Sequence, residues 1–454
     1  MDSPFRVQPP FGPELQDIVD YGHELLKVYG LCIGLIVAGS AVIKRSSVKA
    51  PNGVILGYLK YQMGKFEESR GTILFIFAYV GLSLIFCTYS VSHPVVLMFR
   101  LGLVATINLP LLYMLGTKRT ILNWALGCSY EHVNTLHRWC GVLVVAMIAV
   151  HAAISLYYFR WQYLIRNRWS CMGIVSGICF ALIGISSIPA FRSKCYELFY
   201  GIHLLGSLIA VVGVYLHYPI ARPYAGAAGC VFLFDRLFRL LKDLYVVKCE
   251  ISSAYADTAL VKIKTKCPWK AGDHIYLTVW GCRTLESHPF TIASNKKNSD
   301  HMYLIVRARD GFSKDLYKLG NTTRMGIIHG PYGRTPKVNK LERIILIAGG
   351  SGVAFTYPLL QEYAGMDVKS LWIIRDRRCT EWLPEQIGDL WVTAEQGRPD
   401  ITAILDEWTN NGHDNCLILA CGPQALLTSM ENHVAAYYSK GHCSVKFHKE
   451  KFDW

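Results

Sequence analysis

Long apolar stretches dominate the first half of the chain, and each is close to the length that a membrane-spanning helix needs. The hydrocarbon core of a bilayer, about 30 Å thick, requires about 20 mostly apolar residues in a helix. Seven stretches meet this requirement, although the first is short and the last contains Asp235, Arg236 and Arg239. Their approximate bounds are 25–43, 71–91, 95–115, 137–158, 171–190, 198–217 and 224–245. The pattern predicts a polytopic membrane domain of about seven helices.

The spacing of apolar residues changes after about residue 247. The segments TALVKIKTK, DHIYLTVW and HMYLIVRAR alternate apolar and polar residues, which predicts short antiparallel strands. After about residue 341, the strand-like segments RIILIAGG, SLWIIRD and NCLILACG alternate with helix-like segments, which predicts an α/β domain. The expected domains are a short N-terminal segment at 1–24, a transmembrane domain at 25–246, a β-domain at 247–338 and an α/β domain at 339–454.

The composition supports a membrane half and a water-soluble half. With 52% hydrophobic and 18% charged residues, an entirely water-soluble protein is not expected. The net charge of +14 does not indicate a nucleic-acid partner, because no basic amphipathic helix, zinc finger or RNA-binding signature accompanies it. Lys and Arg beside transmembrane segments account for it. A cytoplasmic C-terminal half places ten of these residues in the expected inner loops and five in the outer segments, which supports that orientation.

Three of the outer basic residues, Arg160, Arg166 and Arg168, cluster in one expected outer loop. Topology alone does not predict positive charge there. The residues are either ordinary solvated charges or a means of attracting an anionic electron acceptor, such as a metal chelate.

Cysteine usage and the N-terminal residues bear on the compartment. The fifteen cysteines are scattered and contain no Cys-x-x-Cys, so we expect reduced thiols rather than a disulfide framework. Residues 1–24 are polar and Pro-rich, so no cleavable signal peptide is expected.

Two histidine pairs lie on two of the predicted transmembrane helices. His137 and His151 are 14 residues apart, and so are His203 and His217. In a helix this spacing returns to within about 40° of the same face and spans about 21 Å. Two such helices facing each other would form two bis-histidine sites stacked across the bilayer, His137 with His203 near the inner surface and His151 with His217 near the outer. Imidazole is an axial haem ligand, so the sequence predicts two haems.

The histidines have two alternative interpretations. They could be polar residues that are hydrogen-bonded between helices, or members of a proton relay. The repetition of one spacing on two helices, joined to a redox-type tail, favours haem.

The segment HPFTIAS closely resembles the flavin-binding signature of the ferric reductase and NADPH oxidase superfamily. WKAGDHIYLTV before it and VRARDGFS after it resemble strands of the same flavin barrel. The resemblance implies hydrogen bonds to the flavin from Thr291 and Ser294 and a flavin phosphate contact from Arg307, with Ser313 a weaker candidate. The residues implied for FAD are His288, Pro289, Phe290, Thr291, Ile292, Ala293, Ser294 and Arg307.

The motifs GPYG and LIAGGSGVAF follow in the order of the same superfamily. Because the glycines of the second motif follow a strand and open a helix, backbone amides there can approach a pyrophosphate. CGP resembles the nicotinamide-side motif, although Cys421 could instead be a buried structural thiol. The residues of these motifs are Gly330, Gly333, Gly349, Gly350, Ser351, Gly352, Cys421, Gly422 and Pro423.

Two arginines and the C-terminus complete the implied site. Arg375 and Arg398 lie in segments that resemble those whose arginines meet the extra phosphate of NADPH, so NADPH is expected rather than NADH. In related reductases a terminal aromatic covers the flavin until nicotinamide displaces it. Trp454 is the candidate here and Phe452 the second, the alternative being an aromatic residue packed at the C-terminus.

The resemblance covers nearly the whole chain from about residue 70. It is strongest to fungal ferric or cupric metalloreductases, in particular to a short yeast subgroup named after altered inheritance of mitochondria. The implied fold is an all-α transmembrane haem bundle followed by a ferredoxin-reductase-like module, in which an antiparallel β-barrel binds FAD and an α/β domain binds NADPH.

The implied function is electron transfer from cytosolic NADPH, through FAD and two b-type haems, to ferric or cupric ions across the membrane. One alternative is an NADPH oxidase that forms superoxide. In animal oxidases a further histidine follows the outer ligand by one helical turn, and this chain has Ser155 there. Another alternative, a non-catalytic scaffold or proton channel, is disfavoured by the intact motifs. We expect a multi-pass protein of the plasma membrane, or otherwise the endoplasmic reticulum. The oligomeric state is not indicated.

Overall fold

The computed structural model describes residues 24, 27–34, 70–117, 130–284, 286–333, 335, 336, 338, 343–385, 388–412, 415–442 and 444–450. Two compact units share the chain, and they meet in sequence between Leu237 and Phe238. We call them the helical unit and the sheet unit. Trp454, Phe452, nearly all of segment 1–24 and most of the predicted inner loops 44–70 and 117–136 lie outside the described residues.

Helices account for almost all of the described part of the helical unit. Residues 27–34 are helical. The helices that follow are α1 (Arg70–Thr88), α2 (Pro94–Ile107), α3 (Leu109–Leu115), α4 (Tyr130–Tyr158), α5 (Trp161–Arg166), α6 (Arg168–Ser186), α7 (Pro189–Lys194), α8 (Tyr196–His217) and α9 (Arg222–Lys242).

Four helical stretches are long and apolar enough to cross a membrane: Pro94–Leu115, Val133–Tyr158, Arg168–Ser186 and Tyr196–His217. They coincide with four of the seven predicted segments. The apolar part of α1, Thr72–Thr88, is shorter, the first predicted segment is only partly described, and α9 does not meet the criterion. The expected count of about seven is therefore not confirmed, although the helical transmembrane architecture is.

Large apolar side chains remain exposed on the outer faces of these helices. Phe77 on α1, Ile178 on α6 and Leu205 on α8 are 69%, 55% and 63% exposed. In water such exposure of many large side chains would favour aggregation, whereas lipid tails are as apolar as the side chains. The helical unit therefore has the surface of a protein that lies in a bilayer.

A buried polar network lies where α2 gives way to α3. Asn108 separates the two helices while keeping a helical backbone conformation, and Pro110 follows it in the first turn of α3. The Tyr79 hydroxyl donates to Asn108 Oδ1 (2.7 Å), and Asn108 Nδ2 donates to the Val104 carbonyl (2.8 Å) and to Tyr29 Oη (2.9 Å). Because lipid offers no hydrogen bonds, the network satisfies these groups internally and ties the 27–34 helix and α1 to the α2–α3 junction.

The first half of the sheet unit is an antiparallel barrel. Its strands are β1 (Leu244–Ala254), β2 (Thr258–Lys264), β3 (His274–Val279), β4 (His288–Thr291), β5 (His301–Arg307) and β6 (Thr322–Tyr332), with helix α10 (Phe312–Lys318) after β5. They form one sheet in the order β4-β3-β6-β1-β2-β5. An isolated antiparallel bridge between Ile292 and Leu304, together with a bond from Ala293 N to Tyr303 O (2.7 Å), connects the two edges and nearly closes the barrel.

The second half of the sheet unit is an α/β layer. Its strands are β7 (Arg343–Gly349), β8 (Val368–Ile374), β9 (Asp389–Val392), β10 (Cys416–Cys421) and β11 (Val445–Glu450), and its helices are α11 (Val353–Glu362), α12 (Thr393–Gln396), α13 (Ile401–Trp408) and α14 (Gln424–Ser439). All strand pairs are parallel, in the order β11-β10-β7-β8-β9. The chain leaves β7 toward one edge through β8 and returns to its other side at β10, so the strand order reverses between β7 and β10.

The two halves of the sheet unit are joined around Tyr255. Its hydroxyl donates to Asp376 Oδ2 (2.9 Å), and its carbonyl accepts from Trp382 Nε1 (3.0 Å). The Arg378 guanidinium lies 4.0 Å from the Tyr255 ring centroid and pairs with Asp376. Hydrogen bonds from the side chain and backbone N–H of Arg378 hold the pKa of Asp376 well below its usual range, so this carboxylate stays charged and available to the joint.

The Asn108 network generates a prediction about the stability of the helical unit. Asn108→Ala removes one hydrogen-bond partner from each of two buried tyrosine hydroxyls, so we expect a loss of about 1–3 kcal/mol in stability. Thermal unfolding of the detergent-solubilised full chain measures this as a lower midpoint. The control is Asn298→Ala, because the Asn298 side chain makes no hydrogen bond in the described part of the sheet unit. Equal midpoints for the two variants would show that the network contributes nothing.

Candidate functional site

The structure brings the four histidines together in two pairs between α4 and α8. The imidazole centroids of His137 and His203 are 6.0 Å apart, and those of His151 and His217 are 6.3 Å apart. The pairing is the one that the 14-residue spacing implies for two facing helices. What the pairs hold is not fixed by this geometry alone, and their role as ligands stays a prediction.

Backbone carbonyls orient three of the four imidazole rings. A carbonyl oxygen only accepts, so each Nδ1 in these contacts carries the proton and donates it, and each Nε2 keeps its lone pair. Metal-bound histidines are typically held in this way, with the second nitrogen bonded to a backbone oxygen. The contacts join Nδ1 of His137 to the Leu112 carbonyl (3.0 Å), of His151 to that of Met98 (2.8 Å) and of His217 to that of Trp169 (2.7 Å).

A glycine stands four residues after each of these carbonyls, one helical turn along. A Cβ added to Gly102 would lie 2.9 Å from the His151 ring, one on Gly116 would lie 3.2 Å from the His137 ring, and one on Gly173 would lie 2.5 Å from the His217 ring. Any side chain at these positions would push the ring away from its carbonyl. We call each combination of a carbonyl and the glycine four residues later a histidine seat.

The sequence analysis missed the histidine seats, although a signal for them was present. Met98 and Leu112 are 14 residues apart, as are Gly102 and Gly116, so the α2–α3 stretch repeats the histidine spacing of α4. A repeat of carbonyl and glycine positions has no chemical signature of its own, whereas a repeat of histidines does.

The pairs have the dimensions of bis-histidine metal ligation. A metal–nitrogen bond of about 2.0 Å on each side, with about 1.1 Å from nitrogen to ring centroid, puts two opposed imidazole centroids about 6 Å apart. Within the residues that the structure describes, no group of three or more His, Cys, Asp or Glu side chains could hold a metal ion. Two axial imidazoles suffice when a porphyrin supplies the other four ligands, so the residues present fit haem.

Arginines gather at the end of the helical unit that carries His151 and His217. Trp169, whose carbonyl seats His217, has the Arg168 guanidinium 4.9 Å and the Arg222 guanidinium 5.6 Å from its ring centroid. Arg222 Nε is buried and has no hydrogen-bond partner among the described residues. Both arginines are among the five basic residues expected in the outer segments, but the sequence alone did not group Arg222 with Arg168. An anionic group at this end would meet both guanidinium groups.

The predicted flavin segment forms strand β4 and the residues just after it. The His288 ring stacks on Phe312 (4.7 Å between centroids), and its Nε2 lies 2.7 Å from Glu286 Oε2. The Ser294 hydroxyl donates to the His301 carbonyl (3.1 Å), so that donor is used within the barrel. Thr291 makes no side-chain hydrogen bond within the described part of the chain, which leaves its hydroxyl available.

The expected flavin phosphate residue lies beside the expected pyrophosphate loop. Arg307 ends β5, and its Nη1 is 4.0 Å from the place that a Cβ on Gly350 would occupy. Gly350 has a φ of +56°, a conformation that favours glycine. Ser313 accepts a hydrogen bond from the Arg309 backbone N–H (3.0 Å), which gives it a role in the turn.

Glycines let the two nucleotide motifs meet where the strand order reverses. Gly349 ends β7 and Cys421 ends β10, the two strands that flank the reversal. A Cβ on Gly349 would lie 2.7 Å from Pro423 Cδ, one on Gly422 would lie 3.0 Å from Gly349 Cα, and one on Gly352 would meet the Cys421 carbonyl. In open α/β sheets ligands bind at the carboxyl ends of strands at such a reversal, and nucleotide binding here stays a prediction.

Other predicted residues of this site differ in their accessibility. Cys421 is fully buried with Leu346 and Phe355, and its predicted catalytic role stays a prediction. Arg375 follows β8 and Arg398 follows α12, and both are exposed. Neither side chain makes a hydrogen bond or ion pair in the described part of the chain, whereas the neighbouring Arg377 pairs with a carboxylate.

The GPYG motif closes the last strand of the barrel. Gly330 and Gly333 have φ values of +138° and +142°. A Cβ on Gly333 would lie 3.0 Å from Asp273 Cα, and Tyr332 Oη donates to Asp243 Oδ2 (3.1 Å). The motif therefore packs the end of β6 against the start of β3, which pairs with β4.

Each unit contains a segment that matches a known protein family. Residues 101–214 match a family described as the ferric reductase like transmembrane component, and residues 245–337 match a family described as an FAD-binding domain. A probable ferric reductase transmembrane component of Candida albicans is 28% identical over 329 residues, which cover 68% of this chain and 49% of that protein. Ferric/cupric reductase transmembrane component 7 of Saccharomyces cerevisiae is 26% identical over 361 residues, which cover 71% and 58%. The chain thus spans about half the length of the curated relatives it matches.

The role of the histidine seats can be tested with two matched variants on α6. Gly173→Ala places a Cβ against His217, so we expect the His151–His217 pair to lose its haem and the b-type absorbance of the reduced protein to fall by about half. Gly177→Ala is the control, since a Cβ there has nothing within 4 Å. Reduced-minus-oxidised spectra normalised to protein measure both. Full absorbance in Gly173→Ala would contradict the assigned role of the seat.

Proposed function

We propose that this chain, which is similar to fungal ferric and cupric reductases over 68–71% of its length, transfers electrons from NADPH across a membrane to ferric or cupric ions. The observation that carries the proposal is the pair of opposed imidazoles at each of two levels of the helical unit, with ring centroids 6.0 and 6.3 Å apart. Two such levels on the same two helices form a path for single electrons through a region that excludes water and ions.

The overall reaction balances with two metal ions. One NADPH gives up two electrons and becomes NADP⁺, two Fe(III) ions each take one electron and become Fe(II), and one proton is released. When bound, FAD supplies the conversion from paired to single electrons, and haem supplies a one-electron carrier that works in a low-dielectric medium.

Within the helical unit, the proposed role of the protein residues is to hold the haems and to orient their histidine ligands. The Nε2 atoms of His137, His151, His203 and His217 are the proposed axial ligands of two b-type haems. The histidine seats fix the tautomer and the direction of three of these rings. The apolar helices around them keep water away from the path.

Within the sheet unit, the antiparallel barrel is the proposed site for FAD and the α/β layer is the proposed site for NADPH. The β4 segment and Arg307 are the proposed FAD contacts, and the loop from Gly349 to Gly352 meets the pyrophosphate of NADPH at the strand reversal. Arg375 and Arg398 are exposed and available for the extra phosphate of NADPH. Trp454 remains the proposed flavin cover, and Cys421 the proposed nicotinamide-side residue.

The same proposal includes the orientation of the chain in the membrane and the end at which the metal ion is reduced. We place the sheet unit in the cytoplasm of a plasma-membrane protein, with His137 and His203 on the side of electron entry. Arg168 and Arg222 lie at the other level, beside the His217 seat, where a negatively charged metal chelate would be attracted.

Two activities share this machinery, and one assay separates them. Membranes containing the full chain should reduce a ferric chelate with NADPH at a rate that superoxide dismutase leaves unchanged, because electrons pass directly to the metal. Loss of the signal with dismutase would instead identify an oxidase whose superoxide reduces the chelate. His151→Ala should lower the rate at least tenfold, whereas the control His301→Ala, on β5, should not.

A second prediction concerns the choice of nicotinamide. Arg375→Ala removes a guanidinium that is free to meet the extra phosphate, so the KM for NADPH should rise about tenfold, equivalent to about 1.4 kcal/mol. The KM for NADH should stay unchanged. Arg377→Ala is the control, because its guanidinium is already paired with Glu395 (2.8 Å). Equal effects of Arg375→Ala on both nucleotides would remove this residue from the phosphate site.

A further inference from the structure

One of the four histidines lacks the seat that holds the other three. The Nδ1 atom of His203 is buried and has no hydrogen-bond partner among the described residues. The described neighbours of the ring offer none: the ring faces Phe199 (5.3 Å between centroids) and His137, and the Ser207 hydroxyl donates to the backbone carbonyl of His203 (2.5 Å) rather than to the ring. An unsatisfied polar atom inside a low-dielectric bundle calls for a physical reason.

The reason lies on α6, which carries the seat of His217 and an altered copy of it. The His217 seat is the Trp169 carbonyl with Gly173. Fourteen residues further along α6, the corresponding positions are Ile183 and Ser187. The copy therefore has a serine where a seat has a glycine.

The altered copy lies at the level of His203. Contacts of α6 with α8 run from Gly173 against His217 to Ile183 against Gly206, so the two helices are antiparallel and remain packed along this length. Moving 14 residues forward on α6 and 14 back on α8 leads from the Gly173–His217 contact to Ser187 and His203. The same relation connects the two seats of α4, because Gly102 serves His151 and Gly116 serves His137.

Ser187 occupies both parts of the seat. Its hydroxyl donates to the Ile183 carbonyl (2.6 Å), in addition to its own backbone N–H (3.0 Å), and the Ser186 hydroxyl lies 3.2 Å from the same oxygen. A carbonyl oxygen has two lone pairs, so these three donors leave none for an imidazole. The serine side chain also stands where a seat keeps the space open.

We propose that Ser187 is a positioning residue that raises the electron affinity of the haem held by His137 and His203. An imidazole that donates a hydrogen bond from Nδ1 is a stronger electron donor to its metal, and stronger donation favours Fe(III). Because Ser187 occupies the Ile183 carbonyl, His203 donates no hydrogen bond to it. The His203 imidazole is therefore the weakest electron donor to a metal among the four histidines. Two haems with identical ligand sets are thereby made unequal, and the one on the side of electron entry accepts an electron more readily.

The inference rests on the proposed function, since it requires haem in both pairs. Its test is the midpoint potential of each haem in the purified full chain, from a reductive titration fitted to two one-electron components. Ser187→Gly should restore the seat and lower the equilibrium constant for reducing the His137–His203 haem about tenfold, a downward shift of about 59 mV for one electron. The other component should not move.

Three further variants separate tuning from general disturbance. Ser187→Ala frees the carbonyl but keeps a Cβ, so it should shift the same component in the same direction by less. Ser187→Thr keeps the donor and should leave both potentials unchanged. Ser186→Gly is the matched control, because it introduces the same glycine beside the same carbonyl while Ser187 keeps its bond. The His151→Ala background, which retains only the His137–His203 pair, assigns the component.

The two possible failures are distinguishable. A full chain without b-type absorbance would overturn the proposed function itself. A chain that binds two haems but keeps both potentials in Ser187→Gly and Ser187→Ala would overturn only the role of Ser187. A shift of equal size in Ser186→Gly would also overturn it, because the effect would then belong to any glycine at the end of α6.

Discussion

The hydrogen bond from a histidine Nδ1 to a helix carbonyl is the interaction that the helical unit is arranged around. A helix carbonyl is normally used by the N–H group four residues later, and a side chain at that later position covers it. Glycine removes the side chain, so an imidazole from a neighbouring helix can reach the oxygen, as His137, His151 and His217 do. Leaving such a buried group unpaired costs about 1–3 kcal/mol, so the seats determine how closely the helices approach and where the free Nε2 atoms point.

Close backbone approach through glycine also organises the sheet unit. Gly349, Gly352 and Gly422 let two loops touch at the strand reversal, as Gly102, Gly116 and Gly173 let rings touch helices. In the helical unit Asn108 lies between the Met98–Gly102 seat and the Leu112–Gly116 seat, and two tyrosines from other helices are hydrogen-bonded to it. In both units the absence of a side chain thus lets backbone groups approach a neighbouring residue closely.

Much of this architecture could be predicted from the sequence, because it depends on side chains with a distinct chemistry or periodicity. The similarity to ferric reductases, four of the spans, the antiparallel barrel and the α/β layer are confirmed. The seats could not be predicted in the same way, since a carbonyl acceptor belongs to every residue and only packing selects Met98, Leu112 and Trp169. The count of about seven spans rested on apolar length alone, which does not distinguish a charged helix such as α9 from a span. The loss of a seat at Ser187 is visible only once α6 and α8 are placed together.

The number of haems bound by the purified full chain tests the central claim most directly. The account requires two b-type haems per chain, one for each pair of imidazoles 6.0 and 6.3 Å apart. Haem extracted into alkaline pyridine and measured against protein and flavin should give two haems for each FAD. A chain that carries FAD but one haem or none would contradict the account, because at least one histidine pair would then have a different role.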